Sequence, residues 1–298
     1  MWRGASLWLL LVGFATAAAA LTPETRAGLL AIDPDRVSDR QVQELLAQAP
    51  VPRVLLFKGS LGADMESFGA FLQQMGYPAH RLRNPATGGY SYSLSWSGCR
   101  CDECDALAAG LPTQTRRDGV APMLVGHSGG GVTLSRILHR LAADAEAPRV
   151  LFAATLGTGG LMRLVPGFPG CAAELPQLSQ VPASVAAFTG YRISGDPFTA
   201  LLGIGDFHPA EGQTPAAQVR NVLLPWKVSH VRAFEVDGYA VQPEVRAWIE
   251  AYQPSSDAPL PEATGLDLSN LRHIADLWHS LKKHWALQAR QWAAQAGD

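Results

Sequence analysis

Charge of either sign is sparse in this 298-residue chain: 17% of residues are Asp, Glu, Lys or Arg, only four are lysines, and the formal net charge is -2. No run of basic residues occurs, so the electrostatic footprint of a nucleic-acid binder or a polybasic membrane patch is missing. Cysteine is scarce too, with four in all. A chain of this length buries a core without a dense disulfide framework or a structural metal. There is no internal repeat and no low-complexity tract, and no apolar run reaches the roughly 20 residues that a bilayer-spanning helix requires. What remains, 47% apolar residues with 29 Gly and 21 Pro, describes an ordinary globular protein of one large domain or two small ones.

The first residues read as an export signal. Arg3 and the terminal amine supply a positive start, Ala5 to Phe14 is apolar, and Ala18, Ala19 and Ala20 offer small residues for signal peptidase. Cleavage is expected after Ala20, giving a periplasmic or secreted protein. In an oxidising compartment Cys99, Cys101, Cys104 and Cys171 are expected to form two disulfides, with Cys99 to Cys104 as the local bridge and Cys101 reaching Cys171. The other reading of the cluster is a four-thiolate zinc site.

Hydrophobic patterning divides the rest. Residues 21–50 look helical and polar-faced, with Val42, Leu45 and Leu46 as a small apolar stripe, packed outside the main sheet. Residues 51–252 alternate strands and helices. Strands are expected at Arg53 to Phe57, Arg81 to Arg83, Met123 to Val125, Val150 to Leu156, Ala186 to Ile193 and Val219 to Leu224. Helices are expected around Phe68 to Met75, Gly130 to Ala142 and Gln242 to Tyr252, and Asn84 to Asp118 reads as an irregular excursion. Such alternation predicts an α/β fold, a mostly parallel sheet with helices on both faces. A Pro/Ser linker over 253–264 leads to an amphipathic C-terminal helix in 265–298, with Leu271, Ile274, Trp278, Leu281, Trp285 and Trp292 on one face. That face either packs back on its own domain or meets a partner or membrane surface.

The most informative segment is Gly126-His127-Ser128-Gly129-Gly130, set between a strand and the best-formed helix of the chain. A Gly-x-Ser-x-Gly there is a nucleophile elbow: the turn holds serine in a strained conformation and only small neighbours let strand and helix approach. On these residues the chain resembles the α/β-hydrolase superfamily, in particular its lipase and esterase-like members. The resemblance spans residues 51–252 and implies that the acid and the histidine follow the nucleophile in sequence. Asp196, in Ser194-Gly195-Asp196-Pro197, and His230, in Ser229-His230-Val231, match those positions. Asp206 and His208 are rivals for the two roles, and Asp237 lies close after His230. His127 reads as an elbow packing residue.

The resemblance further implies an oxyanion hole from the backbone N–H of Gly129 and of Ser60. The family usually has His-Gly before the latter, and this chain has Lys58-Gly59. The expected function is an exported serine hydrolase that cleaves carboxylic esters through an acyl-enzyme on Ser128, with Asp196 and His230 completing the triad and no metal or organic cofactor. The apolar residues of Leu161 to Phe168 and of Tyr90 to Trp96 favour a small-molecule or lipid-like ester. A non-catalytic binding module on the same scaffold, or an acyltransferase or peptidase using the same triad, are the other readings.

Overall fold

A computed structural model describes residues 21–59, 64–95, 100–144, 147, 149–159, 175–202, 204–214, 216–254 and 256–296. In chain order these form α1 (Pro23–Ala31), a 3-10 turn (Pro34–Arg36), α2 (Asp39–Glu44), β1 (Val54–Phe57), α3 (Glu66–Gln74), α4 (Ala79–Leu82) and β2 (Ser91–Tyr92). Then come α5 (Asp102–Asp118), β3 (Met123–His127), α6 (Gly129–Ala142), β4 (Val150–Leu156), α7 (Leu175–Leu178), β5 (Gln180–Val181) and β6 (Val185–Ile193). Last are α8 (Pro197–Leu202), β7 (His208–Pro209), β8 (Gln218–Leu224), α9 (Pro243–Ala251) and α10 (Leu271–Gln295).

Six strands form one sheet in the order β2-β1-β3-β4-β6-β8, every neighbouring pair parallel. β5 and β7 pair separately. The strands nearest the centre read as unbroken apolar runs because both faces are covered. Along β1, Val54 and Leu56 point into one cluster while Leu55 and Phe57 point into the other, and Met123 and Val125 alternate with Leu124 in the same way on β3. One cluster is closed by α5 and α6, through Cys104, Ala108 and Leu111 against Leu134, Ile137, Leu138 and Leu141. The other gathers α1, α2, α3, α9 and α10. Two N-termini there are fixed locally: Thr22 Oγ accepts from Thr25 N ahead of Pro23, and Ser38 with Gln41 makes a capping box.

The C-terminal helix face is used within the chain. Leu271, Ile274, Trp278, Leu281 and Trp285 are buried against the sheet and the N-terminal helices, and Trp292 packs on the edge of that cluster. The partner or membrane-surface reading of this face is corrected accordingly, because its apolar side is already covered. Residues 21–50 likewise reach the core, with Leu29, Ile32, Val42 and Leu46 at or below 1% exposure.

Three other expectations change. The strand at Arg81 to Arg83 is instead α4, a single turn started at Pro78, whose Arg81 is drawn to Asp118 at 2.8 Å. The irregular excursion contains a 17-residue helix, α5, despite Gly110 and Pro112 in its interior. The expected Cys99 to Cys104 bridge is replaced by Cys101–Cys104. Cys101 is the N-cap of α5 and Cys104 lies one turn on, which sets the two Cα atoms 5.2 Å apart, within disulfide reach. With those two sulfurs joined, a four-thiolate zinc site has lost half its ligands. Cys99, Cys171, Trp96, the segment Leu161 to Phe168 and the export signal lie outside the described residues.

Candidate active site

The sheet changes direction of growth at β1: the chain adds β2 on one side and β3 on the other. In open parallel sheets the crevice at the carboxyl ends of such strands is where ligands bind. Ser128 stands there, immediately after β3. Its backbone is at φ 52°, ψ -122°, the single positive-φ residue other than glycine among the described residues. The strain is held by hydrogen bonds on both sides, Ser128 N to Leu156 O at 2.9 Å and Gly131 N to Ser128 O at 2.9 Å. A side chain at Gly130 has no room, since its Cβ would lie 2.1 Å from Phe57 O and 2.7 Å from Lys58 O. At Gly126 it would meet Gly130 O at 2.7 Å. The composition of the pentapeptide is thus a packing requirement that joins β1, β3 and α6 at one point.

His230 arrives from the loop after β8. Its carbonyl accepts from His127 Nε2–H at 2.7 Å, which ties the loop to the end of β3. The imidazole lies between Phe198, 4.9 Å away, and His127, 5.4 Å away, measured between ring centroids. Its Nδ1 is 2.8 Å from Asp196 Oδ2. A carboxylate only accepts, so the proton is on Nδ1 and Nε2 presents its lone pair. That lone pair is 2.9 Å from Ser128 Oγ. The hydroxyl therefore donates to the imidazole, with the Gly159 carbonyl at 3.3 Å as a longer alternative acceptor.

Asp196 follows β6 and begins α8. Phe198 N donates to its Oδ1 at 3.0 Å, Thr199 N to its Oδ2 at 3.3 Å, and the Thr199 hydroxyl also donates to Oδ2. These bonds hold one carboxylate oxygen toward His230. Only 2% of the Asp196 side chain and 9% of that of His230 is exposed, so their contact is shielded from competing water.

Of the residues singled out in the sequence, Ser128, His230 and Asp196 converge, and Gly129 opens α6 directly beneath Ser128, where a helix's first N–H groups lack internal partners. The positive end of the helix dipole adds to those donors. Ser60 lies outside the described residues; the contact of Phe57 O and Lys58 O with the Gly130 backbone brings the chain to the elbow two residues earlier. The rivals are elsewhere. Asp206 faces Arg192 at 3.7 Å, His208 is exposed on β7, and Asp237 accepts from Ser67.

Sequence reasoning missed Thr199, Phe198 and Gly157. Asp196 with Thr199 three residues on is a helix-start pattern, which could have flagged the first. Gly157 ends β4 with φ +57°, and a Cβ there would sit 2.9 Å from His230 Cε1 and Nδ1. Among the described residues no group of three His, Cys, Asp or Glu side chains is placed to hold a metal ion.

No protein-family model matches the sequence, and no curated protein matches it. Among solved structures it is similar to RedJ with a PEG molecule bound in the active site, at 12% identity and a TM-score of 0.36, covering 69% of this chain and 92% of that one. It is also similar to the product of the gene lin2722 from Listeria innocua, at 13% identity and a TM-score of 0.39, covering 70% of this chain and 97% of that one. These distant likenesses carry no argument; the described residues themselves form an α/β fold with an all-parallel six-stranded sheet and a strained strand-to-helix turn at Ser128.

Proposed function

We propose that this protein is an exported serine hydrolase that cleaves carboxylic esters through an acyl-enzyme on Ser128. The observation that supports it is the unbroken chain of hydrogen bonds from Ser128 Oγ through the His230 imidazole to Asp196, at 2.9 and 2.8 Å, mounted on a strained elbow. His230 Nε2 takes the serine proton as Oγ attacks the ester carbonyl, and Asp196 steadies the imidazolium that forms. The N–H of Gly129, with the Ser60 N–H that the resemblance implies, donates to the developing oxyanion. The imidazolium then protonates the leaving alcohol. Water activated at the same imidazole releases the acid and restores the hydroxyl.

A fluorophosphonate probe is expected to label the wild type and to leave Ser128→Ala unlabelled; equal labelling of the two removes Ser128 as nucleophile. Gly157→Ala is expected to lower kcat/KM by about a hundredfold while the protein stays folded, because the new methyl displaces the imidazole from Asp196. Unchanged kcat/KM in a folded variant would show that the imidazole position is not limiting.

A cavity of ≈ 650 Å³ beside the end of β1, where Tyr92, Leu94 and Leu107 share the wall with Lys58, Asp64, Glu66 and Glu103 and which none of the triad lines, leaves room for an ester group of moderate size. Nitrophenyl esters of increasing acyl length test this, and a preference for acetyl over longer groups removes the lipid-like part of the reading. Export is supported by the N-terminal sequence and by the Cys101–Cys104 bridge, which suits an oxidising compartment. The mass of the protein recovered from the producing cells checks cleavage after Ala20.

A further inference from the structure

A second cavity, of ≈ 470 Å³, lies at the other end of the sheet, between the first residues of β4, β6 and β8 and the middle of α10. From Thr189 on its wall to the end of β6 at Ile193 are four strand residues, roughly 13 Å, so it is separate from the crevice that holds Ser128. Apolar surface is contributed by Phe152, Ala187, Phe188 and Val219. The polar wall carries Arg220, His279, Ser280, Lys283 and His284, with Asp35 at the rim. An adjoining cavity of ≈ 360 Å³ shares His279 and Gln253 with it.

The donor and acceptor inventory of that wall is uneven. Arg220 is engaged with Asp276 at 2.6 Å, and Lys283 with Asp35 at 2.6 Å. The second pair is exposed, 37% and 64% by side chain, so it is weak and exchangeable. His284 donates Nδ1–H to Ser280 O at 2.7 Å and stacks on Phe152 at 4.9 Å, which leaves Nε2 as a bare lone pair. His279 is the outlier. It keeps only 9% of its surface exposed and lines both cavities, its ring nitrogens reaching solvent there. An imidazole whose nitrogens open onto a cavity is free to bond what enters it.

We infer that this cavity binds an organic monocarboxylate, whose carboxylate is held by Lys283 together with His279 and His284 and whose apolar body lies over Ala187 and Val219. Charge balance selects the monoanion. The two fixed cations of the wall, Arg220 and Lys283, are already matched by Asp276 and Asp35, so an incoming negative charge is neutralised by one proton added to an imidazole. Both rings are held below the ordinary histidine value in the free protein, His279 by burial and then by the positive field of Lys282, His284 by burial first. The charged groups around them are Lys282, Lys283 and Asp276 on α10, Asp35 and Arg36 on the Pro34–Arg36 turn, Arg220 on β8 and Glu250 on α9. A bound carboxylate favours the protonated ring, so binding takes up a proton and tightens as pH falls.

The test is calorimetric titration of the whole protein with sodium benzoate at about pH 5.5 and about pH 8, each in two buffers of different ionisation enthalpy. Benzyl alcohol and inorganic phosphate serve as comparators. Saturable binding of one benzoate is expected, about tenfold tighter at the lower pH and with uptake of about one proton, whereas benzyl alcohol does not bind and phosphate binds more weakly. Asp35→Asn, which frees Lys283, is expected to tighten benzoate binding severalfold, and Lys283→Met to weaken it about tenfold, with ester turnover unchanged in both. The inference is overturned by an absence of saturable heat at the lower pH, by benzyl alcohol binding as well as benzoate, by phosphate binding more tightly, or by an affinity indifferent to pH and to both substitutions.

Discussion

Ester turnover is expected to fall by about a million-fold in Ser128→Ala and by a similar factor in His230→Ala, because each change removes the same concerted proton transfer and attack. Among the described residues the hydroxyl at 2.9 Å from Nε2 has no second base of comparable geometry: the Gly159 carbonyl at 3.3 Å accepts a hydrogen bond but cannot take up the proton. Asp196→Asn should lose about ten-thousand-fold, since an amide facing Nδ1 offers a donor where an acceptor is needed and turns the imidazole to the wrong tautomer. The fold should survive all three, as none of these side chains fills the apolar clusters. The losses are not additive, and the double variant Ser128→Ala with His230→Ala should be no slower than either single one. Turnover measured with a nitrophenyl ester decides this. If the double variant loses the product of the two single factors, the residues act independently and the relay is wrong.

The parts of this site that were legible in the sequence are those whose constraints are local. Gly126 and Gly130 are dictated by backbone approach within a few residues of Ser128, so the pentapeptide carries its own geometry. Asp196 and His230 could be placed because each follows a strand-like run at a position implied by the resemblance. The supports that aim them were hidden, because they arise only when the strands are side by side: His127 holding the His230 carbonyl, Phe198 against the imidazole, Gly157 making room. The α5 helix was invisible for a different reason. Its buried stripe is Cys104, Ala108 and Leu111, two of the three small, and it is interrupted by Gly110 and Pro112, so it lacks the apolar periodicity that marks α6. Missing that helix also meant missing the Cys101–Cys104 bridge, whose spacing is one helical turn. The C-terminal helix was plain as a pattern, but what covers its apolar face depends on α1, α2 and the sheet, which no local rule supplies.

That same helix carries a buried ion pair, and breaking it is the largest expected effect on stability. Lys282 Nζ lies 3.0 Å from Asp39 Oδ1, with 4% and 6% of the two side chains exposed, and Arg246 approaches the other carboxylate oxygen at 3.7 Å. The cluster joins the first turn of α2 to α9 and α10. Burial outweighs the attraction of Lys282 and raises Asp39 above the ordinary carboxylate value. Lys282→Met removes the nearer cation and leaves a desolvated carboxylate with one distant partner. It should cost about 3 kcal/mol at about pH 7, the lower end for an uncompensated buried charge because Arg246 remains. The penalty has a direction in pH. Without Lys282 the Asp39 carboxyl rises further, so protonation on acidification relieves the strain, and stability from this group is recovered as pH falls through the raised folded value. At about pH 5 the difference between variant and wild type should therefore shrink by more than about half. Pairing Lys282→Met with Asp39→Asn should restore most of the loss at neutral pH, since a neutral amide needs no counter-charge. Urea unfolding of the three proteins at the two pH values is the measurement. A loss of equal size at both pH values, or one the double variant fails to rescue, would assign the effect to the packing of the lysine stem rather than to the charge left on Asp39.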